Sequence, residues 1–248
     1  MALKGGEAFY FKHGNVGCLL IHGGTGTPSA MRPLGEFLAK GGISALGPLL
    51  KGFGETPEEW LKTTHRDWIS TAEEGLRTLK RDCEKVFVSG LSMGGTLSLY
   101  LAGKFKEIVS GVIPICAPYG NRFLESFRGR FIPLLKENLP MPNFSATDVR
   151  AKGERQVGYQ VTFPSTNLEW AKIVEAASGL DPGIQCPALI VQARNDHVID
   201  PSGSQELYEK IGSKKKELFW LENSYHMATI DVDKEILYQK ILTFIQNS

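Results

Sequence analysis

The sequence predicts an α/β fold: a mostly parallel sheet with helices on both faces and a helical segment inserted ahead of its last two strands. Three observations carry this. Apolar strand-like runs alternate with amphipathic helical runs along most of the chain; Gly90-Leu91-Ser92-Met93-Gly94 sits between one of each; and residues 119–185 break the alternation. Strand–helix alternation favours parallel strands joined by crossovers, with any site at the strands' C-terminal edge.

Taken in order, strands are expected near 8–12, 16–22, 43–48, 85–91, 111–116, 188–193 and 217–221. Helices are expected near 29–40, 64–81, 94–105, 202–211 and 232–246. In the helix after Thr64, Trp68, Ile69, Ala72, Leu76 and Leu79 recur at helical spacing, a stripe suited to packing on the sheet. The interval 119–185 is too long for a structureless loop in a compact domain and carries helical patterns of its own. It is expected to be a lid on a core formed by residues 1–118 and 186–248. Within it, Phe123, Phe127, Phe131 and Leu135 recur every fourth residue, flanked by Leu124, Ile132 and Leu134, with Arg122, Arg128 and Arg130 interleaved. Such a stripe is either the lid helix's own packing surface or, in part, a pocket wall or a lipid-interface contact. Residues 166–174, including Trp170, read as a second lid helix.

The chemistry concentrates at the turn around Ser92. A serine on a very tight strand-to-helix turn takes a strained backbone, and the positions two before and two after it, Gly90 and Gly94, have almost no room for a side chain. The hydroxyl is then held out of the sheet, and the Met93 N–H at the helix start faces the same space, where the dipole favours a developing negative oxygen. A glycine-rich turn with a chance serine is the plainer alternative, and the position between strand and helix argues against it. A second donor is expected from the loop His22-Gly23-Gly24-Thr25-Gly26-Thr27-Pro28, which follows the strand Gly17–Ile21. Gly24 N–H is the candidate partner of Met93 in an oxyanion hole, unless these glycines make only an ordinary strand-to-helix turn. His22 is expected to hold the loop by hydrogen bonding.

A nucleophilic serine needs a base, and the base needs an acid to orient it. Asp196 lies just past the strand Ala188–Ala193, and His226 lies on the loop after the strand near 217–221, giving the order Ser, Asp, His. Asp200 competes for the acid role, but it precedes Pro201 and an amphipathic run, the pattern of a helix cap. His197 adjoins Asp196 too closely for a hydrogen bond back to that carboxylate and is expected at the pocket rim.

On these residues the chain resembles the α/β-hydrolases from about Val16 onward. His22-Gly23, Thr25-Gly26, the Pro48–Gly54 loop, Trp60, Asp67-Trp68, Gly90–Gly95 and Tyr225-His226 resemble the small bacterial carboxylesterases and monoacylglycerol lipases. The resemblance implies Ser92 as nucleophile, Asp196 as acid, His226 as base, and Gly24 and Met93 backbone as the oxyanion hole. The expected activity is hydrolysis of short-to-medium acyl esters or monoacylglycerols, with no metal or organic cofactor called for. One departure bears on the hole. Many relatives carry a bulky apolar residue where Gly24 stands, so a roomier acyl side or a looser loop is expected here. A thioesterase or a C–C hydrolase would use the same triad, and a non-catalytic interaction protein could share the fold. The complete triad argues against the last, and a haloalkane dehalogenase would need a carboxylate where Ser92 stands.

Composition sets the outer limits. The chain has 248 residues, 42% hydrophobic and 22% charged, with a formal net charge of +1, which suits one globular domain and gives no electrostatic case for nucleic acid. The partner expected is a small-molecule ester, with transient lipid contact through the lid; the oligomeric state is not legible. Met1–Glu7 lacks the long apolar core of a secretory signal and no run approaches a membrane span, so a cytoplasmic location is expected, although a processed precursor would leave the same chain. Cys18, Cys83, Cys116 and Cys186 lie in or beside predicted strands without metal-ligand spacing and are expected to be buried thiols. Lys214-Lys215-Lys216 reads as a solvated turn.

Overall fold

The computed structural model describes residues 3–248; the first two residues of the N-terminal stretch read for a secretory signal lie outside them. In chain order the strands are β1 (Phe9–Phe11), β2 (Val16–Ile21), β3 (Ser44–Gly47), β4 (Lys85–Leu91), β5 (Val109–Ile115), β6 (Met141–Pro142), β7 (Val161–Thr162), β8 (Ala188–Ala193) and β9 (Lys216–Leu221). The helices are α1 (Arg32–Lys40), α2 (Pro57–Leu61), α3 (His65–Asp82), α4 (Met93–Lys104), α5 (Gly120–Phe131), α6 (Pro164–Ser178), α7 (Ser202–Lys210) and α8 (Lys234–Gln246).

Seven strands make one sheet in the order β1-β3-β2-β4-β5-β8-β9, with β1 antiparallel to β3 and the other neighbours parallel. Alternation along each strand divides the core. Leu19, Ile21, Val86 and Val88 point to a face covered by α3, α4 and α6, whereas Cys18, Leu20, Phe87 and Ile113 point to a face covered by α1 and α8. On the first face α3 buries Trp68, Ala72, Leu76 and Leu79 as its spacing predicts, with Ile69 half-buried beside them.

Register brings the functional ends together. Ile21 pairs with Gly90, Leu91 with Ile115, Ile115 with Val191, and Ala193 with Leu221. The loops carrying Gly24, Ser92, Asp196 and His226 therefore leave the sheet along one edge, as parallel strands require.

Between β5 and β8 the chain departs from the sheet through α5, the two-stranded β6–β7 ladder and α6. This insert is not a detached unit, because Tyr159, Phe163, Ile173 and Ala177 share one buried cluster with Leu19, Trp60 and Leu97 of the core. The stripe expected to run through Leu135 stops earlier. Helix α5 ends at Phe131, Pro133 follows in a short 3-10 turn, and Ile132, Leu134 and Leu135 are exposed. Proline supplies no N–H to continue a helix, which accounts for the break. Helix α7 likewise begins at Ser202 with Pro201 in the cap position, one residue beyond the expected Asp200 cap, though Asp200 Oδ1 still accepts the Ser202 N–H at 3.0 Å. Cys18, Cys83 and Cys116 are buried and Cys186 half-buried, all four as free thiols. Lys214 and Lys215 are exposed, while Lys216 opens β9. Among the described residues no helix is long and apolar enough to cross a membrane.

Candidate active site

Strand β4 runs into α4 with no residue to spare except Ser92, which takes φ 55° and ψ −121°. For a residue with a side chain this is a costly conformation, of order 1–3 kcal/mol, and it persists only where neighbours impose it. They do so here by close approach. A Cβ on Gly90 would strike the Gly94 backbone, and one on Gly94 would meet the carbonyl oxygens of Ile21 and His22, the latter at 2.6 Å. The Ser92 N–H donates to Ile115 O at 2.8 Å, tying the elbow to β5. The Met93 N–H opens α4 and so belongs to the first-turn donors that no helix carbonyl can satisfy.

The loop after β2 is held just as tightly. His22 is fully buried, its Nε2 accepts the Leu50 N–H at 3.2 Å, and its Nδ1 therefore carries the proton and donates to Gly23 O at 2.8 Å. Burial pushes its pKa down to about 4, so this ring is a neutral brace. Thr25 takes φ 60° and is pinned from the insert: Asn143 Nδ2 donates to Thr25 Oγ1 at 2.6 Å and the Tyr159 N–H to Thr25 O at 2.8 Å. The roomier acyl side or looser loop expected from Gly24 is not found. The indole of Trp170, reaching down from α6, occupies the space a side chain at 24 would take.

The sequence-predicted acid and base meet. His226 Nδ1 and Asp196 Oδ2 are 2.8 Å apart, with side chains 2% and 0% exposed. Asp196 Oδ1 accepts the N–H groups of Val198 and Ile199, both at 2.8 Å, and Oδ2 also takes Gln192 Nε2 at 3.1 Å. Burial pushes this carboxyl up, but the His226 charge and hydrogen bond, with the two backbone donors, outweigh it and hold Asp196 below the usual carboxylate range. With Nδ1 turned to Asp196, His226 presents Nε2 to the cavity it shares with Ser92, Met93 and Gly24. Among the described residues Ser92 Oγ makes no hydrogen bond to that nitrogen; such contacts are commonly long before substrate binds.

Asp148, on the insert, has no signal in the sequence reading and yet joins the two loops. Its Oδ2 accepts the N–H groups of both His197 and His226 at 3.1 Å, its Oδ1 lies 2.7 Å from His197 Nδ1, and its own carbonyl accepts the Met227 N–H at 3.0 Å. Asp231 and Asp233 pin the rest of the histidine loop, accepting the N–H groups of Tyr225, Asn223 and Ser224 at 2.7–2.9 Å. His197 is at the rim as expected, 61% exposed at its side chain and edge-on to Tyr225, while Asp200 lies exposed at the mouth, 3.6 Å from Arg122.

Above these groups lies a cavity of about 840 Å³. Phe123, Phe127 and Phe131 all line it, Phe123 stacked on Phe127 with ring centroids 4.8 Å apart and Phe131 edge-on to Phe127 at 4.6 Å. Phe123 and Phe127 also pack on Leu124, Ala171 and Val174, so the stripe both joins α5 to α6 and faces the cavity. Among the described residues one side-chain group has ligand atoms close enough to hold a metal ion, Cys116 with Asp196 and His226, all within 4.8 Å. Two of its members are already bonded to each other. Burial, then the Asp196 charge, push the Cys116 thiol well above its ordinary value, which disfavours the thiolate a metal would need.

Sheet order, the strained elbow serine and the ordered loops define an α/β-hydrolase, and comparison with known proteins agrees. Residues 15–233 match the family described as serine aminopeptidase, S33. The chain belongs to this family of serine hydrolases. It is 37% identical over 244 residues to a thermostable monoacylglycerol lipase of Bacillus sp. (strain H-257), covering 98% of this chain and 95% of that one. It is 29% identical to a carboxylesterase of Bacillus subtilis (strain 168), covering 97% and 96% of the two chains. A solved structure from work on the metagenome-derived lipolytic enzymes LipS and LipT superposes with a TM-score of 0.93 at 38% identity over the full length of both chains. The chain is thus a serine hydrolase similar to carboxylesterases and monoacylglycerol lipases.

Proposed function

We propose that this enzyme hydrolyses short-to-medium acyl esters or monoacylglycerols through an acyl-enzyme on Ser92. His226 Nε2 takes the hydroxyl proton as Ser92 Oγ attacks the ester carbonyl, and the N–H groups of Gly24 and Met93 hold the oxyanion. The tetrahedral species collapses, the C–O bond to the alcohol breaks, and His226 returns the proton to the leaving alkoxide. Water, deprotonated by the same nitrogen, then attacks the acyl-enzyme, releasing the acid and restoring Ser92. Asp196 fixes the imidazole tautomer and stabilises the imidazolium. The observation that carries this reading is a strained Ser92 on the same cavity wall as His226, whose Nδ1 is bonded to a buried carboxylate.

Residues 119–185 act as the lid, and Phe123, Phe127 and Phe131 form the acyl wall. Their place on a cavity of about 840 Å³, together with the names of the two Bacillus relatives, supports an apolar acyl group. Ile132, Leu134, Leu135, Leu139 and Phe144, all exposed on the insert, support transient contact with a lipid interface. The test is a rate comparison across p-nitrophenyl esters, monoacylglycerols and acyl-CoA thioesters, with Ser92→Ala as blank. Ester turnover lost in the blank is expected; preferred thioester turnover, or an active Ser92→Ala, would overturn the assignment.

A further inference from the structure

Gly24 has an ordinary backbone, outside the left-handed region, so its own conformation admits any side chain. A neighbour forbids one. A Cβ there would lie 2.5 and 2.7 Å from Cη2 and Cε2 of the Trp170 indole and closer still to Cζ2, and these are its three nearest atoms. The indole is fixed from two sides, with Trp60 of the core at 6.3 Å and Phe127 of α5 at 6.5 Å between ring centroids. It lines the cavity beside Gly24, and among the described residues its Nε1–H is buried without a partner.

We propose that Trp170 is a specificity-determining residue: it supplies from the insert the wall that a side chain at position 24 would otherwise supply from the oxyanion loop. This rests on the ester-hydrolase reading of the site. Because the ring abuts the loop whose N–H holds the oxyanion, it limits the bulk of the acyl group next to the reacting carbonyl. The enzyme therefore favours acyl chains unbranched at the carbon next to the carbonyl. The three nearest atoms to a Cβ at 24 all belong to the tryptophan, so the two positions are coupled and exchangeable in volume.

The test is a double-mutant cycle with Gly24→Leu, Trp170→Ala and the double variant, read by thermal midpoint and by kcat/KM for p-nitrophenyl butyrate and p-nitrophenyl 2,2-dimethylpropanoate. Gly24→Leu should lower the midpoint and cut butyrate kcat/KM about a hundredfold. Trp170→Ala should raise the dimethylpropanoate-to-butyrate ratio at least tenfold. The double variant should regain at least tenfold over Gly24→Leu, recover midpoint, and return the ratio toward wild type. Should Gly24→Leu not fold, Gly24→Ala, which already brings the clashing Cβ, runs the same cycle. A tolerated side chain at 24 with Trp170 in place, additive losses in the double variant, or an unchanged ratio in Trp170→Ala would each overturn the proposal. Ser92→Ala, assayed alongside, separates the two claims: a rate undiminished there refutes the hydrolase reading, whereas additive midpoints refute the coupling whatever the activity.

Discussion

Ser92 owes its conformation to residues that have almost no side chains, and the same economy of roles runs through the site. His22 and His226 are both buried, but His22 has both ring nitrogens bonded to the backbone, whereas His226 gives one to Asp196 and keeps the other toward the cavity. That difference in bonding, rather than burial, separates the brace from the proposed base. His226→Ala and Asp196→Asn should each lower kcat by orders of magnitude in folded protein, while His197→Ala and Asp200→Asn change it little; steady-state kinetics with circular dichroism decide this. Asp148 acts one step removed, by holding the His226 and His197 backbones together. Asp148→Ala leaves those donors unpaired, at about 1–3 kcal/mol, so kcat should fall on the order of tenfold with KM nearly unchanged. Asp148→Asn, which keeps a carbonyl acceptor, should recover part of that loss. Equal losses in kcat for Asn and Ala, or a change confined to KM, would contradict a positioning role.

At the scale of elements, the loop carrying His226 is stable because buried carboxylates take its backbone donors. Burial raises the Asp233 carboxyl, but hydrogen bonds from Asn223 and Ser224 outweigh it and hold it below the usual range. A carboxyl lowered on folding contributes stability above its unfolded value, near 3.9, and loses it as pH falls through the lower folded value. Asp233→Asn should therefore reduce the thermal midpoint at pH 5–7 and flatten its decline below about pH 4. Parallel midpoint curves for the two proteins would contradict this. In the insert, Phe127 stands between α6 and the cavity, so Phe127→Ala removes apolar surface worth roughly 25 cal/mol per Å² from a long acyl chain and almost nothing from an acetyl group. The kcat/KM for octanoyl esters should fall selectively; a uniform loss across chain lengths would return the stripe to packing alone.

The longer sheet strands and helices were legible because they run far enough to show their period: β2, β4 and β8 as apolar runs, α3 as a stripe led by Trp68. What stayed hidden was short or distant. The two residues each of β6 and β7 and the five of α2 are too few for a pattern. Asp148 lies in irregular chain, 49 and 78 residues before the backbones it joins. Trp170 could be placed on a helix from its spacing, but its contact with Gly24 depends on how the insert seats on the core, which no local pattern encodes. The elbow, by contrast, was readable because its steric demand falls within five consecutive residues.

The whole molecule is then a scaffold that carries four loops to one sheet edge and closes a cavity over them with the insert. All of the proposed chemistry passes through one atom, Ser92 Oγ. The most direct measurement is intact-mass analysis and peptide mapping after exposure to an alkyl fluorophosphonate, with Ser92→Ala in parallel. One adduct per chain, on Ser92, with ester turnover lost in step with labelling and no adduct on the variant, is the result expected. Labelling at another residue, or turnover that survives complete modification of Ser92, would contradict the account.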